Sequence, residues 1–230
     1  MKKIVVFTGA GISADSGIAT FRDSDGLWAN HRIEEVCTPE ALMRNRPKVI
    51  EFYNIRRKEL LEKQPNAAHL ALKELEQKYD VSIITQNIDD LHERAGNQHV
   101  IHLHGELRKL RSEYQELATI PLEGWEQKLD TRHPDGSLLR PFVVFFGENV
   151  PLLDIAIAEV EKADIFIIIG TSLAVYPAAS LVHYVQHDTP VVLIDPSIPD
   201  ISHISNTLTH IQAKAALGVP ELTQKLMHEK

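Results

Sequence analysis

The sequence predicts an α/β fold: a Rossmann-like, doubly wound parallel sheet with a small inserted subdomain. Three observations carry this expectation. Short runs rich in Val and Ile alternate with helix-forming stretches, the pattern of buried parallel strands joined by crossover helices. A glycine loop, Gly9-Ala10-Gly11-Ile12-Ser13-Ala14, follows the first of those runs directly, as in dinucleotide-binding sheets. Between residues 106 and 139 the alternation gives way to mixed charge with Pro121, Gly124, Trp125 and Pro134-Asp135-Gly136, which marks the insertion.

Taken in order, Lys3–Thr8 is a strand: its apolar stretch is too short for a signal peptide and runs straight into the glycine loop. Residues 47–61 form a helix with Pro47 in its first turn, and residues 67–77 a second, capped by Asn66 and favoured by Ala67, Ala68, Ala71 and Leu72. Residues 81–85 and 100–104 are the next strands. Beyond the irregular segment come a strand at 143–146, a helix at 152–162, a strand at Ile165–Ile169, a helix at 177–186 opened by Pro177, and a strand at Val191–Ile194. Residues 1–105 and 140–230 thus make the Rossmann-like domain, and 106–139 a small subdomain or lid.

Composition narrows the classes. The 230 residues are 43% hydrophobic and 24% charged, ordinary for a soluble enzyme. No apolar run approaches the ~18 residues of a membrane span. Lys and Arg number 24 against 32 Asp and Glu, a net charge of −8, which makes nucleic acid a poor partner. The one cysteine, Cys37, excludes an internal disulfide and a cysteine-built zinc site, and fits a reducing compartment, the cytoplasm. Twelve histidines leave imidazole metal sites formally open.

Function is sought in the loops at the strands' carboxyl ends, where open α/β sheets bind ligands. In the first loop the glycines allow backbone N–H groups to approach a pyrophosphate; an ordinary tight turn is the alternative. The dinucleotide fingerprint wants an acidic residue roughly twenty positions on. Only Asp23 and Asp25 lie near, in a polar, loop-like segment, which argues against an ordinary dehydrogenase. Thr85-Gln86-Asn87-Ile88-Asp89 offers amides and a carboxylate suited to a carboxamide and ribose hydroxyls, or else a solvated turn with caps for Leu91 onward. In Ile101-His102-Leu103-His104-Gly105 the two histidines share a face. His104, beside a glycine, is a general-base candidate, with a His-x-His metal pair as its rival. His102, one pleat back, is expected to tolerate substitution.

At this point the motifs resemble a family. Gly9-Ala10-Gly11-Ile12-Ser13, Ser16-Gly17-Ile18, Phe21-Arg22 and Gly26-Leu27-Trp28 resemble the signature of sirtuins, the NAD-dependent protein deacylases. Thr85-Gln86-Asn87-Ile88-Asp89-Asp90-Leu91-His92, His104-Gly105, Val144-Phe145-Phe146-Gly147-Glu148 and Gly170-Thr171-Ser172 are similar to its later motifs, in order, over nearly the whole chain. The resemblance implies NAD as cofactor and acylated-lysine peptides as partners; the composition already argues against membrane and nucleic acid. An acyl-lysine oxygen would attack the ribose carbon bearing nicotinamide, giving free lysine, nicotinamide and an acyl-ADP-ribose. It implies His104 as general base and Asn87 as catalytic. Gly9, Ala10, Gly11, Ser13, Phe21, Arg22, Trp28, Gln86, Asn87, Ile88, Asp89, Gly170, Thr171 and Ser172 would hold NAD, and Val144, Gly147 and Glu148 would hold the peptide as an added strand. Leu193, Asp195 and Ala215 fall where relatives contact adenosine, although Asp195 stands where many have asparagine.

Two further points qualify the resemblance. Typical relatives carry two cysteine pairs after the catalytic histidine, binding a structural zinc. Here there are none, so no metal is expected. The subdomain is expected to be held instead by Leu107, Leu110, Tyr114, Leu117, Ile120, Leu122, Trp125 and Leu129. Tyr53 and Arg56, three apart on the 47–61 helix, share a face. They read as an exposed basic patch by themselves, and, in the light of the resemblance, as the carboxylate clamp of sirtuins acting on succinyl- and malonyl-lysine, with acetyl-lysine weaker. Mono-ADP-ribosyl transfer, NAD hydrolysis and non-catalytic NAD or ADP-ribose sensing are the competing readings.

Overall fold

A computed structural model describes residues 1–19, 32–202 and 204–229. The expected cofactor residues Phe21, Arg22 and Trp28 therefore lie outside the described residues. A six-stranded sheet is built from β1 (Lys3–Thr8), β2 (Asp80–Thr85), β3 (Val100–His102), β7 (Ile165–Ile169), β8 (Val191–Ile194) and β9 (Leu208–Ile211). Its order is β3-β2-β1-β7-β8-β9 and every pairing is parallel. The chain runs outward from β1 in one direction and from β7 in the other, so the two central strands mark the switch point.

Register fixes the site's position. Thr8 lies opposite Thr85 and Ile169, Thr85 opposite His102, and Ile169 opposite Ile194. These residues form one row at the carboxyl edge, so the loops beginning at 9, 86, 103, 170 and 195 all leave the sheet at one level.

Helices cover both faces. On one lie α4 (Ala67–Leu75) and α7 (Ala215–His228), packing Leu72, Leu75, Val219 and Leu222 on Ile4, Val6 and Ile83. On the other, α6 (Leu153–Val160) and a 3-10 helix, Ala178–Tyr184, pack on Val5, Phe7, Phe166 and Ile168. The sequence suggests a regular helix over 177–186, and Gly218 and Pro220 break the helical signal of α7. Three helices, α1 (Ile33–Val36), α2 (Pro39–Arg44) and α3 (Arg46–Leu61), precede α4, and α5 (Leu91–Arg94) follows β2. Side-chain caps start α2, where Ala41 N donates to Thr38 Oγ1 at 3.1 Å, and α3, where Lys48 N donates to Asn45 Oδ1 at 3.2 Å.

A second, antiparallel sheet has the order β5-β4-β6, with β4 Gly105–Ser112, β5 Thr119–Pro121 and β6 Leu139–Val143. This corrects the expected strand at 143–146: the strand ends where that one was to begin, and it belongs to this sheet. The strand expected to run to 104 stops at His102, because Gly105 turns the chain with φ +83°. A Cβ there would sit 2.2 Å from the Phe142 carbonyl oxygen, so only glycine lets β6 pass this close.

The apolar core expected for this segment is largely absent. Leu107 and Leu110 are buried, but Tyr114, Leu117, Trp125 and Leu129 are exposed. Buried polar groups do the holding. Arg57 of α3 donates to the carbonyls of Leu107 and Trp125 and to Asn54 Oδ1 and Gln127 Oε1. Gln127 Nε2 donates to the Leu139 carbonyl at 2.7 Å, and Ser112 Oγ meets Asp135 and Ser137. Polar side chains from distant segments satisfy one another and the backbone groups that leucines would leave unpaired.

Candidate active site

The loops after β1 and β7 cross in close contact. Gly11 N donates to the Gly170 carbonyl at 2.9 Å and Gly9 N to that of Ile169 at 3.0 Å; a Cβ on Gly11 would lie 2.6 Å from Gly170 Cα. The glycines thus serve the approach of one loop to the other, and these two N–H groups are spent inside the protein. Any backbone N–H groups that approach a pyrophosphate here must come from other residues of the loop. The chain continues in 3-10 turns, Ala10–Ile12 and Ala14–Ser16, rather than in a long helix.

A polar network ties the first loop to the second. Asn87 Nδ2 donates to the Gly9 carbonyl at 3.1 Å and to Ser13 Oγ at 3.2 Å, and Ser13 Oγ donates to Asp89 Oδ2 at 3.0 Å. Because the Gly9 oxygen can only accept, the orientation of the Asn87 amide is fixed. Asp89 also accepts from Leu91 N at 3.1 Å, closing a local turn just ahead of α5. Burial pushes its carboxyl pKa up, partly offset by the bonds from Leu91 and Ser13. Gln86 joins the second loop to the one after β7: its Oε1 accepts from Thr171 Oγ1 at 2.8 Å, while its Nε2 is buried without a partner.

His104 follows β3 and is held by two backbone contacts. Its Nδ1 lies 3.0 Å from the Gln86 carbonyl, and its own carbonyl accepts from Val144 N at 2.9 Å. A carbonyl only accepts, so Nδ1 carries the proton and Nε2 keeps its lone pair. Burial lowers the pKa, against a smaller raising effect of the Gln86 bond. The result is a neutral imidazole at pH 7.

His102 is no spare neighbour. Its Nδ1 donates to the Asn87 carbonyl at 2.9 Å and its Nε2 to Glu93 Oε1 at 2.7 Å. Burial opposes its charge, but the bond and charge of Glu93 prevail and raise its pKa. It pins the Asn87 carbonyl to Glu93 beneath the cleft, a structural role that lying one pleat back from the mouth did not suggest.

The remaining wall comes from α3 and the segment after β6. Tyr53 is fully buried, donates from its hydroxyl to Cys37 Sγ at 3.3 Å and stacks on Phe145 at 5.9 Å. Arg56 lies half-buried one turn along, its guanidinium 5.8 Å from the Phe52 ring. Phe146 N donates to the Cys37 carbonyl at 3.0 Å. Glu148 accepts from Arg140 at 2.6 Å, from Arg111 at 3.1 Å and from Phe145 N at 2.7 Å. Its carboxylate thereby shapes this loop.

These elements enclose one cleft of about 790 Å³. It gathers Ala10, Gly11, Ser13, Gln86, Asn87, Ile88, Asp89, His104, Gly170, Thr171 and Ser172 with Tyr53, Arg56, Val144, Gly147 and Glu148, and reaches Asp195 and Ala215. Two expected residues are elsewhere: Gly9 lies behind the loop against Thr171, and Leu193 is buried in the core. The Asp195 carboxylate accepts from Ser197 N and Oγ, both at 2.9 Å, a local turn. Sequence reasoning missed Cys37 and Lys214 in the lining; a lone cysteine carries no local signal. Among the described residues no three His, Cys, Asp or Glu side chains gather as a metal-binding group.

Fold and cleft define a class, a doubly wound α/β protein with a nucleotide-type site at its switch point and a buried imidazole inside it. A profile of the Sir2 family matches residues 9–177, and the chain belongs to that family. An NAD-dependent protein deacylase of Bacteroides thetaiotaomicron is 51% identical over 232 residues, covering 99% of both chains. A Sir2 homologue in complex with NAD has a TM-score of 0.89 at 42% identity, over 98% of this chain and 90% of that one. Sir2 bound to an acetylated peptide has a TM-score of 0.76 at 30% identity, over 97% and 91%.

Proposed function

We propose that this Sir2 protein removes acyl groups from protein lysines in an NAD-dependent reaction, preferring succinyl and malonyl over acetyl. Its activity is NAD-dependent protein deacylation, in whose terms its relatives are named. The acidic acyl preference rests on one observation: Tyr53 and Arg56 line the same cleft as His104. Burial raises the phenol pKa far above its ordinary value, so Tyr53 keeps its proton, and its one O–H, which donates to Cys37 Sγ, can turn from that weak acceptor to a carboxylate. Phenol and guanidinium together can pair a carboxylate that would otherwise be costly to bury.

The residues fit NAD chemically. Gln86 Nε2 is a buried donor without a protein partner, and the Asn87 amide and Asp89 carboxyl are held rigidly beside it. NAD, when bound, would supply the ribose carbon that the acyl oxygen attacks, the nicotinamide that leaves and a ribose hydroxyl that ends up carrying the acyl group. Asn87, Asp89 and Ile88 would hold the carboxamide, Gln86 and Thr171 a ribose, and Gly170 and Ser172 the phosphates. His104 Nε2 takes up a proton from a hydroxyl brought within reach.

The same reading takes the protein to work without zinc, in the cytoplasm, with residues 106–139 as a subdomain set into the 1–105 and 140–230 domain. The polar contacts of Arg57, Gln127 and Ser112 support the zinc-free part. The test is mass spectrometry of acetyl-, succinyl- and malonyl-lysine peptides incubated with the protein and NAD. Acyl-ADP-ribose formed fastest from the acidic peptides is the expected product; ADP-ribose alone, or ADP-ribosylated protein, would overturn the deacylase reading.

A further inference from the structure

Arg57 heads the fully buried side chains by volume. A buried ion is ordinarily paired with an opposite one. Arg57 instead donates only to neutral acceptors: Leu107 O from Nε at 2.8 Å, Asn54 Oδ1 and Trp125 O from Nη1 at 2.6 and 3.4 Å, and Gln127 Oε1 from Nη2 at 3.3 Å. Among the described residues no carboxylate pairs with it. Arg108 repels it, and the Tyr53 phenol is the other titratable group it feels. Burial pulls its pKa down to about 10, which leaves it cationic at neutral pH.

Its position matters as much as its charge. Arg57 is one helical turn from Tyr53 and next in sequence to Arg56, and the carbonyl it grips belongs to Leu107, which lines the cleft. The guanidinium therefore stands one residue behind the wall of the acyl pocket. Solvent does not screen it there.

We infer that Arg57 is a specificity-determining residue, whose uncompensated charge biases the pocket at Tyr53 and Arg56 toward acyl groups ending in a carboxylate. The inference rests on the proposed acyl preference. Arg56 makes the contact, and Arg57 supplies a field that reaches the substrate without touching it. At an effective dielectric of about 20, a unit charge about 8 Å away favours an anion by roughly ten- to thirtyfold.

The test adds a counter-charge and leaves the arginine in place. Asn54→Asp keeps the acceptor that receives Arg57 at 2.6 Å and Gln127 N at 2.8 Å, and loses only the donor to the Gln127 carbonyl. kcat/KM is measured on succinyl- and butyryl-lysine peptides, of similar reach but differing in the carboxylate. The expected result is a roughly five- to twentyfold drop in the succinyl-to-butyryl ratio, with butyryl turnover and Tm held. A packing role alone would move both substrates together. If Asn54→Asp lowers Tm, Gln127→Glu places the carboxylate on the guanidinium's other side and is expected to lower the ratio likewise. An unchanged ratio in a folded variant, while Arg56→Met still removes succinyl preference, overturns the inference and leaves the proposed function standing. Equal losses on both peptides in Arg56→Met overturn the acyl reading itself.

Discussion

His104 enters the cleft as a neutral base because the Gln86 carbonyl holds the proton on Nδ1 and burial disfavours the cation. His104→Ala is expected to lower kcat by ~10²–10⁴, with NAD affinity by calorimetry within a few-fold of wild type; more than about a tenth of wild-type turnover would remove it from this role. Since its pKa is lowered, kcat/KM should stay level as pH falls to that of a free imidazole and decline only below it. Arg56→Met should cost succinyl peptide about 2–5 kcal/mol, tens- to thousands-fold in kcat/KM, and spare acetyl peptide; Tyr53→Phe should do the same more weakly. His102→Ala leaves the Asn87 carbonyl unpaired and should cost about 1–3 kcal/mol in urea unfolding. The raised pKa of His102 gives stability that is complete below the pKa of a free imidazole and lost as pH climbs through its own. The Tm gap between wild type and His102→Ala should therefore narrow in alkali.

At the scale of elements, β1, β7 and β8 were legible from end to end, since a strand buried on both faces needs only a short apolar run. β4 was not. Its register shifts between Gly105 and Leu110, so the buried Leu107 and Leu110 fall out of strict alternation and leave an apparent run of mixed charge. The cleft's residues were readable because they sit in compact loop motifs at strand ends. The burial of Arg57 was not, since its acceptors Trp125 and Gln127 come from about seventy residues away. Gly105 joins the two sheets beside His104. Gly105→Ala combines a left-handed backbone with a Cβ 2.2 Å from Phe142 O, and should cost at least about 2 kcal/mol. Activity should fall with stability, because His104 is bonded to the same crossing.

For the whole molecule, the buried polar contacts predict independence from metal: prolonged chelation should change neither Tm nor turnover. Stoichiometric zinc by elemental analysis, lost together with folding, would mean that histidines replace thiolates. The sheet's central pairing has a different consequence, for synthesis. β1 meets β7 with Ile4 opposite Ile165, so the strand in the middle of the finished sheet waits for a partner made some 160 residues later. Until then Ile4, Val5, Val6 and Phe7 present an open apolar edge, the kind that captures other chains. Translation of this messenger therefore carries an exposed interval that ends only when the second half emerges, and chaperones should be needed most by ribosomes paused between those two strands.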